Sequence, residues 1–425
     1  MGSSWTGLAE ALKAQNKGRL VVGAACAVDI KLLEDEQLDA AFALDPRLDK
    51  DVFEGQHFDC IVIDDLLLQA DNPADLLAGL RRRLKPAGRL VCALPNIQHY
   101  SALASIIAGD FQYQDDGPLN RRYLRFVGTA NIQKLFLDAG FLPRLIEQPR
   151  KLMPDEAIRA FVPIIDHLRL NREFFVAKAS TTHQICVGYP LPEVSATKMG
   201  ITFIAAVNNE RQLKDNLLAS PIFEDSRHEF IGVTGAASAA EALNTGMARS
   251  LAGNAIVVLV HQDIYLPKGW DDRLIHGLSA AEAKFGPVGI AGVFGVVRAA
   301  DFSFQRAGKV LDRRTLLATT HDMPARATSL DEIVLAFPVR GGSIVGLDEN
   351  LGFHMYGSEA CLASTDAGKV PVIVDAPCLH NSESGYGLDN KFAESAQRFA
   401  QKRRASFPYA TTCIQFTFDG QASVW

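Results

Sequence analysis

His261, Gln262 and Asp263 end a run of purely apolar residues. The run, Ile256–Val260, shows no polar alternation, and this predicts a strand covered on both faces within a mostly parallel sheet. Ligands of such sheets bind beyond the carboxyl ends of the strands, where Asp263 would stand. A carboxylate there can ligate a divalent cation, and the cation can offset the charge of a diphosphate. The structural alternative is that Asp263 only caps the turn before Pro267.

The elements that would position such a site alternate between strand and helix patterns. Upstream, the order of these patterns is typical of a doubly wound sheet. Strand patterns cover residues 19–24, 38–44, 58–64 and 88–94, and a helix pattern covers 73–84. Residues 173–178 and Ile201–Val207 are also strand-like, and the polar stretch between them, with its proline, predicts a domain boundary. We predict an α/β fold with a first domain over residues 1–190, a linker over 191–199 and a second domain over 200–425.

Length and composition agree with two globular domains and exclude some functions. The chain has 425 residues, 48% of them apolar and 22% charged, which is typical of a soluble protein with two cores. The net charge of -6 argues against nucleic-acid binding. Seven cysteines without a Cys-x-x-Cys pair indicate reduced core thiols. With no signal peptide and no apolar run of membrane-spanning length, we expect a cytoplasmic protein, with peripheral association at the inner face of a membrane left open.

Six segments of the second half follow one another in an order that a known family shares. They are ITFIAAVNNE (201–210), AAEALNTG (239–246), HQD (261–263), LDE (330–332), GFHMY (352–356) with Cys361–Leu362, and PCLHNS (377–382). Together they resemble a bacterial glycosyltransferase-like family with the GT-A nucleotide-sugar fold. The resemblance implies a hexosyltransferase of surface-polysaccharide synthesis. Such an enzyme moves a sugar from a nucleotide-diphosphate donor to a glycan or glycolipid acceptor, with Mn²⁺ or Mg²⁺ and with inversion.

The resemblance also implies a set of site residues. Asp263 would be a metal ligand, and the late His380 would be its second protein ligand. The candidates for nucleoside contacts are Asn208, Asn209 and Glu210, whose alternative role is to cap the helix that begins near Arg211. Asn244 and His261 would line the same cleft.

The general base is the point at which the sequence departs from the family pattern. Related enzymes place an acid directly after the aromatic of the Phe-His-x-Tyr-like segment, and Gly357 stands there. Glu359 and His354 are the nearby substitutes, and a helix beginning after Tyr356 would hold Glu359 ionised near its N-terminus. Asp331 and Glu332 are the other acids expected in the cleft, on the acceptor side. Alternatively, Glu359 only stabilises the helix and the domain binds a ligand passively.

The first half shows a different resemblance. Its segments are FDCIVIDD (58–65), LKPAGRLV (84–91), LPN (94–96) with His99–Tyr100, and YLRF (123–126) with AGF (139–141). They resemble the Rossmann-like class I methyltransferases that use S-adenosylmethionine, over residues 19–180. The glycine-rich loop expected after the first strand is reduced to Gly23. Asp45 could hold a ribose hydroxyl or form a turn before Pro46. We expect a degenerate domain that does not bind S-adenosylmethionine.

Three functions therefore remain open from the sequence. The favoured one is a glycosyltransferase with a relict methyltransferase-like domain. The second is a bifunctional enzyme that also methylates, and it would require a working cofactor pocket within residues 19–50. The third is a non-catalytic scaffold that binds a glycan or a nucleotide, and it would gain if Asp263 and His380 lay too far apart to share a metal.

Overall fold

The fold is mixed α/β with several sheets. The computed structural model describes residues 57–109, 111–146, 151–168, 170–250, 254–339, 346–383 and 388–424, together with the backbone of 20–25 and 38–43. Contacts within the chain define two compact units. The first comprises Met1–Glu193 and Glu383–Gly385, and the second comprises Val194–Ser382 and Tyr386–Trp425.

The first unit is built on one six-stranded sheet. Its strands are β1 (Leu20–Ala25), β2 (Leu38–Ala43), β3 (Phe58–Ile63), β4 (Leu84–Pro95), β5 (Phe141–Leu145) and β6 (His183–Pro190). Its helices are α1 (Leu66–Gln69), α2 (Pro73–Arg81), α3 (Tyr100–Ile107), α4 (Thr129–Asp138), α5 (Asp155–His167) and α6 (Arg172–Ala179). The strand order is β2-β1-β3-β4-β6-β5, in which β6 runs antiparallel to β4 and β5. The order reverses between β1 and β3, so a ligand site is expected at the carboxyl ends of these strands.

One element of the first unit differs from its sequence pattern. Residues 173–178, predicted as a strand, lie in helix α6, and the strand prediction was wrong. The Asn171 side chain accepts a hydrogen bond from the Phe174 N–H and caps this helix. The local cap therefore overrides the strand preference of two phenylalanines and a valine. The strand that precedes the boundary is β6, at His183–Pro190.

The second unit contains three sheets. Its first nine strands are β7 (Ile201–Val207), β8 (Glu229–Thr234), β9 (Ile256–Val260), β10 (Ile264–Tyr265), β11 (Val288–Gly292), β12 (Phe294–Arg298), β13 (Phe304–Asp312), β14 (Thr315–Ala318) and β15 (Ala325–Arg326). The others are β16 (Ser329–Leu330), β17 (Val334–Pro338), β18 (Val370–Ile373), β19 (Leu379–His380), β20 (Tyr409–Ala410), β21 (Ile414–Phe416) and β22 (Ala422–Val424). Its α-helices are α7 (Glu210–Asp215), α8 (Ala239–Ser250), α9 (Trp270–Phe285), α10 (Tyr356–Asp366) and α11 (Asn390–Arg403), and short 3₁₀ turns occupy Pro221–Glu224, Glu349–Leu351 and Arg404–Ser406.

The seven-stranded sheet of the second unit has the order β15-β18-β11-β17-β9-β7-β8. Strands β8, β7 and β9 are parallel, so their carboxyl ends share one edge. Strand β17 is antiparallel to β9 and begins at that edge, where Val334 pairs with Val260. Alternate side chains of β9 enter two different core clusters, one containing Val258 and the other Leu259. This confirms that the strand is buried on both faces.

The second sheet of this unit has the order β10-β19-β13-β12-β16, with β14 paired to β13. Strand β19 lies between β10 and β13 and therefore brings the late histidine back to the loop that follows β9. A third, three-stranded sheet contains β20, β21 and β22. Among the described residues, no helix combines the length and the apolar character needed to cross a bilayer.

Candidate functional site

Asp263 lies just beyond the buried strand β9. A tight turn, in which the Ile264 N–H donates to the His261 carbonyl, follows the strand, and the chain then enters the short strand β10. Further on, Gly269 has a φ of 74°, a left-handed conformation that favours glycine, and it starts helix α9. Asp263 is buried, and its Oδ1 atom has no hydrogen-bond partner of good geometry. A buried carboxylate oxygen of this kind needs a compensating charge or ligand.

Strand pairing places His380 between two carboxylates. His380 is in register with Ile264, the neighbour of Asp263, on one side and with Asp312 on the other. The His380 Nδ1 atom lies 3.0 Å from Asp312 Oδ1, and its Nε2 atom lies 3.4 Å from Asp263 Oδ1. Asp312 therefore accepts a hydrogen bond from Nδ1, which orients the ring with Nε2 toward Asp263.

The charges of this pair depend on each other. Burial acts to lower the pKa of His380. The hydrogen bonds and negative charges of Asp263 and Asp312 have a larger, opposite effect, and they raise the pKa from 6.5 to about 10. Burial acts to raise the pKa of Asp263, but His380 and His261 outweigh it and lower the value to about 2. Without a metal, His380 is thus a cation between two carboxylates. A metal ion bound through Nε2 would replace the proton on that atom.

His261 completes the group. Its ring is 5.9 Å from the His380 ring between centroids, and its Nε2 atom is 3.3 Å from the Tyr356 hydroxyl. Burial lowers the pKa of His261, so the ring is neutral and able to ligate a metal.

His261, Asp263 and His380, called here the metal triad, offer ligand atoms within 4.8 Å of one another. Two atoms bound to one metal at about 2.2 Å lie at most about 4.4 Å apart, so a small closure would bring the triad to ligand distances. The donor set of two imidazoles and a carboxylate fits a divalent transition metal. The structure thus brings together the two predicted ligands, Asp263 and His380, with His261.

Asp312 is a functional candidate that the sequence analysis missed. The sequence did contain a sign of this role, because Asp312 is an acid at the end of the long strand β13, just as Asp263 is an acid shortly after β9. Sequence alone did not show that His380 pairs with this strand. Gln262 was also missed as an individual residue. Its Oε1 atom accepts hydrogen bonds of 3.0 Å from the N–H groups of both Asn208 and Asn209, which joins the ends of β7 and β9.

The predicted nucleoside contacts lie at this same edge. Asn208 and Glu210 are exposed beyond the end of β7. The Asn209 side chain accepts a hydrogen bond from the Gln212 N–H and caps α7, the alternative that was considered from the sequence. Asn244 lies on α8, where its amide bonds both the N–H and the carbonyl of Leu347. These contacts give Asn244 a role in holding the segment before α10.

Glu332 occupies the space that Gly357 leaves. The Glu332 carboxylate accepts a 3.0 Å hydrogen bond from the Gly357 N–H at the start of α10. A Cβ atom at position 357 would lie 2.9 Å from the Cγ atom of Glu332, so a larger residue there requires Glu332 to move. Burial raises the pKa of Glu332 to about 8, and Asp331 adds to the increase, against the opposing effect of the Gly357 N–H.

Two contacts connect the chain segments on either side of the Glu332–Gly357 hydrogen bond with His261 of the metal triad. Tyr356, which precedes Gly357, contacts His261 through its hydroxyl. The His261 N–H donates to the carbonyl of Ile333, which follows Glu332. Asp331, on the other side of Glu332, accepts a 2.7 Å hydrogen bond from the Thr412 hydroxyl. Glu332 is thus connected to the triad through its neighbours, and, against the burial that lowers the pKa of His261, the charge of Asp331 acts directly to raise it.

Glu359 has a different environment from the one expected of a base. Helix α10 begins at Tyr356, which meets the condition under which Glu359 was considered as the base, and Glu359 is buried in its first turn. Its two oxygens accept hydrogen bonds of 2.8 and 2.7 Å from Arg403, and Lys402 lies 2.8 Å away. Burial acts to raise the pKa of Glu359, but these cations outweigh it and lower the value. The role of Glu359 as the base stays a prediction, and its ion pair counts against it.

His354 lies outside the triad. Its ring packs 5.3 Å from the Phe392 ring, and its Nε2 atom is 3.8 Å from Asp389. Burial lowers its pKa, so the imidazole is neutral near pH 7. A cavity of about 380 Å³ opens near this segment, lined by the loop after β8, the start of α8, Phe353 and the α11 cations Lys391 and Arg398. The loop after β8 places one wall of this cavity at the carboxyl edge of the parallel strands.

The carboxyl edge of the first unit also carries acids. The Tyr123 hydroxyl donates a 2.8 Å hydrogen bond to Asp65, which follows β3. Burial raises the pKa of the neighbouring Asp64 to about 6, and Asp65 adds to the increase. Asp45 and residues 26–37 lie outside the described residues. The expectation that this unit does not bind S-adenosylmethionine stays a prediction.

The fold and the site define an α/β protein with a candidate metal centre at the carboxyl edge of a mixed sheet. No protein-family model matches the chain. No curated protein matches it either.

Several solved structures show partial similarity to the chain. An S-adenosylmethionine-dependent methyltransferase of Archaeoglobus fulgidus is 12% identical, with a TM-score of 0.28, over 44% of this chain and 94% of its own. The Pyrobaculum calidifontis mannosyltransferase PcManGT, solved with GDP-Man and Mn²⁺, is 13% identical, with a TM-score of 0.31, over 51% of this chain and 66% of its own. The solved structures that are similar to part of this chain thus include a methyltransferase and a mannosyltransferase.

Proposed function

We propose that the second unit is a metal-dependent glycosyltransferase of the GT-A kind, which uses a nucleotide-diphosphate sugar as its donor. The observation that carries the proposal is the metal triad at the carboxyl edge of β7 and β9. Sheets of this type bind ligands at that edge. The loops after β7 and β8 supply amides and a cavity beside the same strands.

His261, Asp263 and His380 would hold the metal, and Asp312 would orient His380. A bound Mn²⁺ or Mg²⁺ would supply positive charge that stabilises the leaving diphosphate. His261 is kept neutral by burial and His380 is oriented by a carboxylate. Both imidazoles are therefore fixed before a ligand arrives, which lowers the entropic cost of binding.

Glu332 is our choice for the general base that takes the proton from the acceptor hydroxyl. A base is most effective when its pKa lies near the working pH, and the Glu332 value of about 8 meets this condition better than the ion-paired Glu359 does. The Glu332 carboxylate also lies beside Gly357 in space. It would therefore take the place of the acid that the family pattern expects at position 357. The proposal includes a general base and no protein nucleophile. The acceptor hydroxyl of a glycan or glycolipid would therefore displace the diphosphate in one step, which inverts the configuration of the sugar.

The first unit has an architectural role in this proposal. Only Gly23 stands where a glycine-rich cofactor loop would be needed. The bifunctional alternative requires this unit to bind S-adenosylmethionine, and it is separated from the main proposal by equilibrium dialysis with that cofactor.

A second candidate function follows from the donor set itself. Two histidines and one carboxylate also form the usual site of non-haem Fe(II) oxygenases. In that case the protein would select Fe²⁺ and would show no dependence on a nucleoside diphosphate. The two functions therefore differ in the metal and in the second ligand.

Calorimetry with Mn²⁺, Mg²⁺ and Fe²⁺, each with and without uridine, guanosine or thymidine diphosphate, tests the proposal. We expect one diphosphate to bind at least tenfold more tightly with Mn²⁺ than with a chelator. Asp263→Asn should remove this gain, and Asp375→Asn should retain it, because Asp375 is a partly buried carboxylate of the same unit paired with Lys309. Equal diphosphate affinity with the chelator, or an unchanged gain in Asp263→Asn, would overturn the proposal.

A further inference from the structure

A second cavity of the same unit is lined largely by positive charge. It has a volume of about 370 Å³, and its lining includes Lys284, Arg298, Arg326, His321, Phe285 and Asp322. Three cations and one carboxylate give these side chains a formal charge of +2, although the whole chain carries -6. Positive charge is therefore concentrated here against the balance of the protein.

Aromatic rings hold the three cations in place. Lys284 Nζ lies 4.9 Å from the centroid of the Phe285 ring, and the Arg326 guanidinium lies 5.6 Å from the same centroid. The Arg298 guanidinium lies 5.3 Å from the Phe302 ring and 5.6 Å from the Phe304 ring. Cation–π contacts fix the position of a charge without neutralising it.

None of these three cations forms an ion pair with a carboxylate among the described residues. Asp322 lines the same cavity but does not pair with them. Lys284 donates one hydrogen bond, of 3.1 Å, to the Pro324 carbonyl, which leaves its charge uncompensated. Arg298 and Arg326 are exposed at the rim, so their guanidinium groups are accessible to a ligand.

His321 adds a polar ring to the lining of the cavity. Its Nε2 atom lies 3.1 Å from the Gln305 amide oxygen and therefore donates to it. The other ring nitrogen, Nδ1, is buried without a hydrogen-bond partner. In the neutral ring Nδ1 is an acceptor.

The cavity is far from the metal triad along the fold. Helix α9 begins at Trp270, close in sequence to Asp263, and ends at Phe285 in the cavity wall. A helix of 16 residues is about 24 Å long, at about 1.5 Å per residue. The cavity wall at Phe285 and the segment that follows Asp263 in the chain therefore adjoin opposite ends of one helix, and the cavity shares no residue with the triad.

We propose that this cavity is a binding site for a phosphate monoester of about the size of a sugar phosphate. The arginine forks and the lysine would bind the phosphate oxygens, since guanidinium geometry matches phosphate. A volume of about 370 Å³ leaves room for a ring attached to the phosphate. The site does not depend on the transferase function proposed above.

The test is thermal unfolding of the full chain in EDTA at constant ionic strength, with glucose 6-phosphate, inorganic phosphate, sulfate or glucose. EDTA removes any contribution of a metal at the triad. We expect glucose 6-phosphate to raise the unfolding temperature at lower concentration than inorganic phosphate or sulfate does, and glucose to have little effect. Arg326→Gln and Arg298→Gln should each raise the dissociation constant about tenfold or more.

Arg398→Gln is the matched control, because Arg398 lines the other cavity, and it should retain the full shift. Circular dichroism establishes that each variant is folded. The proposal fails if the phosphates do not stabilise the parent protein, if glucose stabilises it equally, or if the shift survives in both arginine variants.

Discussion

The Nδ1 atom of His380 lies 3.0 Å from the Oδ1 atom of Asp312, and this contact determines which ring nitrogen faces Asp263. Strand β19 positions the histidine, because His380 pairs with Asp312 on one side and with Ile264 on the other. A carboxylate behind a metal-binding histidine fixes the tautomer and makes the ring a better ligand. Asp312 is thus a positioning residue for the proposed metal centre.

Asp312→Asn should weaken Mn²⁺ binding by about 10–100-fold without abolishing it, the usual effect of losing such a supporting carboxylate. Asp263→Asn should cause a larger loss, because it removes a ligand. Calorimetric titration measures both effects, and Asp375→Asn serves as the control. Equal affinity in Asp312→Asn and in the parent would show that the histidine does not need this partner.

Metal binding should become tighter as the pH rises. The raised pKa of His380, about 10, keeps the ring protonated in the metal-free protein at pH 7–9, and a metal must displace that proton. We expect the apparent affinity to increase by about tenfold per pH unit in this range, with release of about one proton. Titrations in buffers of different ionisation enthalpy count the proton. An affinity that is constant between pH 7 and 9 would contradict the protonated state of His380.

Glu332→Gln should reduce turnover by about a hundredfold or more, the usual scale for loss of a general base. The glutamine oxygen can still accept from the Gly357 N–H, so α10 should keep its N-terminal contact. In the parent, turnover should rise with pH through about 8 as Glu332 loses its proton. Asp375→Asn, at a partly buried carboxylate paired with Lys309, is the control and should keep the turnover of the parent. A pH profile that is the same in Glu332→Gln and in the parent would assign the base elsewhere.

Glu359→Gln should lower the free energy of unfolding by roughly 2–4 kcal/mol, because it leaves the mostly buried Arg403 without its bidentate partner. Metal affinity should not change. The folded-state pKa of Glu359 is lowered, so its contribution is present above about pH 4.5 and is lost as the pH falls through the folded value.

Denaturant unfolding checks this, with Glu394→Gln as the control on an exposed pair worth about 0–1 kcal/mol. Unchanged stability together with a hundredfold loss of turnover would return Glu359 to the role of base.

The pattern of apolar and polar residues within a single segment was sufficient to predict elements whose side chains face a core. The buried strand Ile256–Val260 followed from its apolar run, whereas the start of α10 near Tyr356 was only a condition attached to the role of Glu359. Residues 173–178 were assigned to the wrong class because a single cap, Asn171, determined the outcome. Helix caps act over three or four residues and compete with strand preference on nearly equal terms.

The site was predictable in part. Asp263 and His380 could be named because each follows a run of apolar residues. The link between His380 and Asp312, like the contact of Glu332 with Gly357, joins residues far apart in the chain. Such contacts depend on which strands become neighbours, and periodicity within one segment contains no information about that choice.

The close approach of Gly357 and Glu332 restricts the mutational routes by which this site could change. A new side chain at 357 meets the Glu332 Cγ atom at 2.9 Å and the Leu330 carbonyl at 3.1 Å. An acid introduced at 357 alone would therefore displace the acid already present instead of adding a second one. Shortening Glu332 to aspartate first would withdraw the side chain from position 357 while keeping a carboxylate in the site. Relocating the acid from one segment to the other therefore has to begin at Glu332 and not at Gly357, which determines the order in which the two substitutions can accumulate.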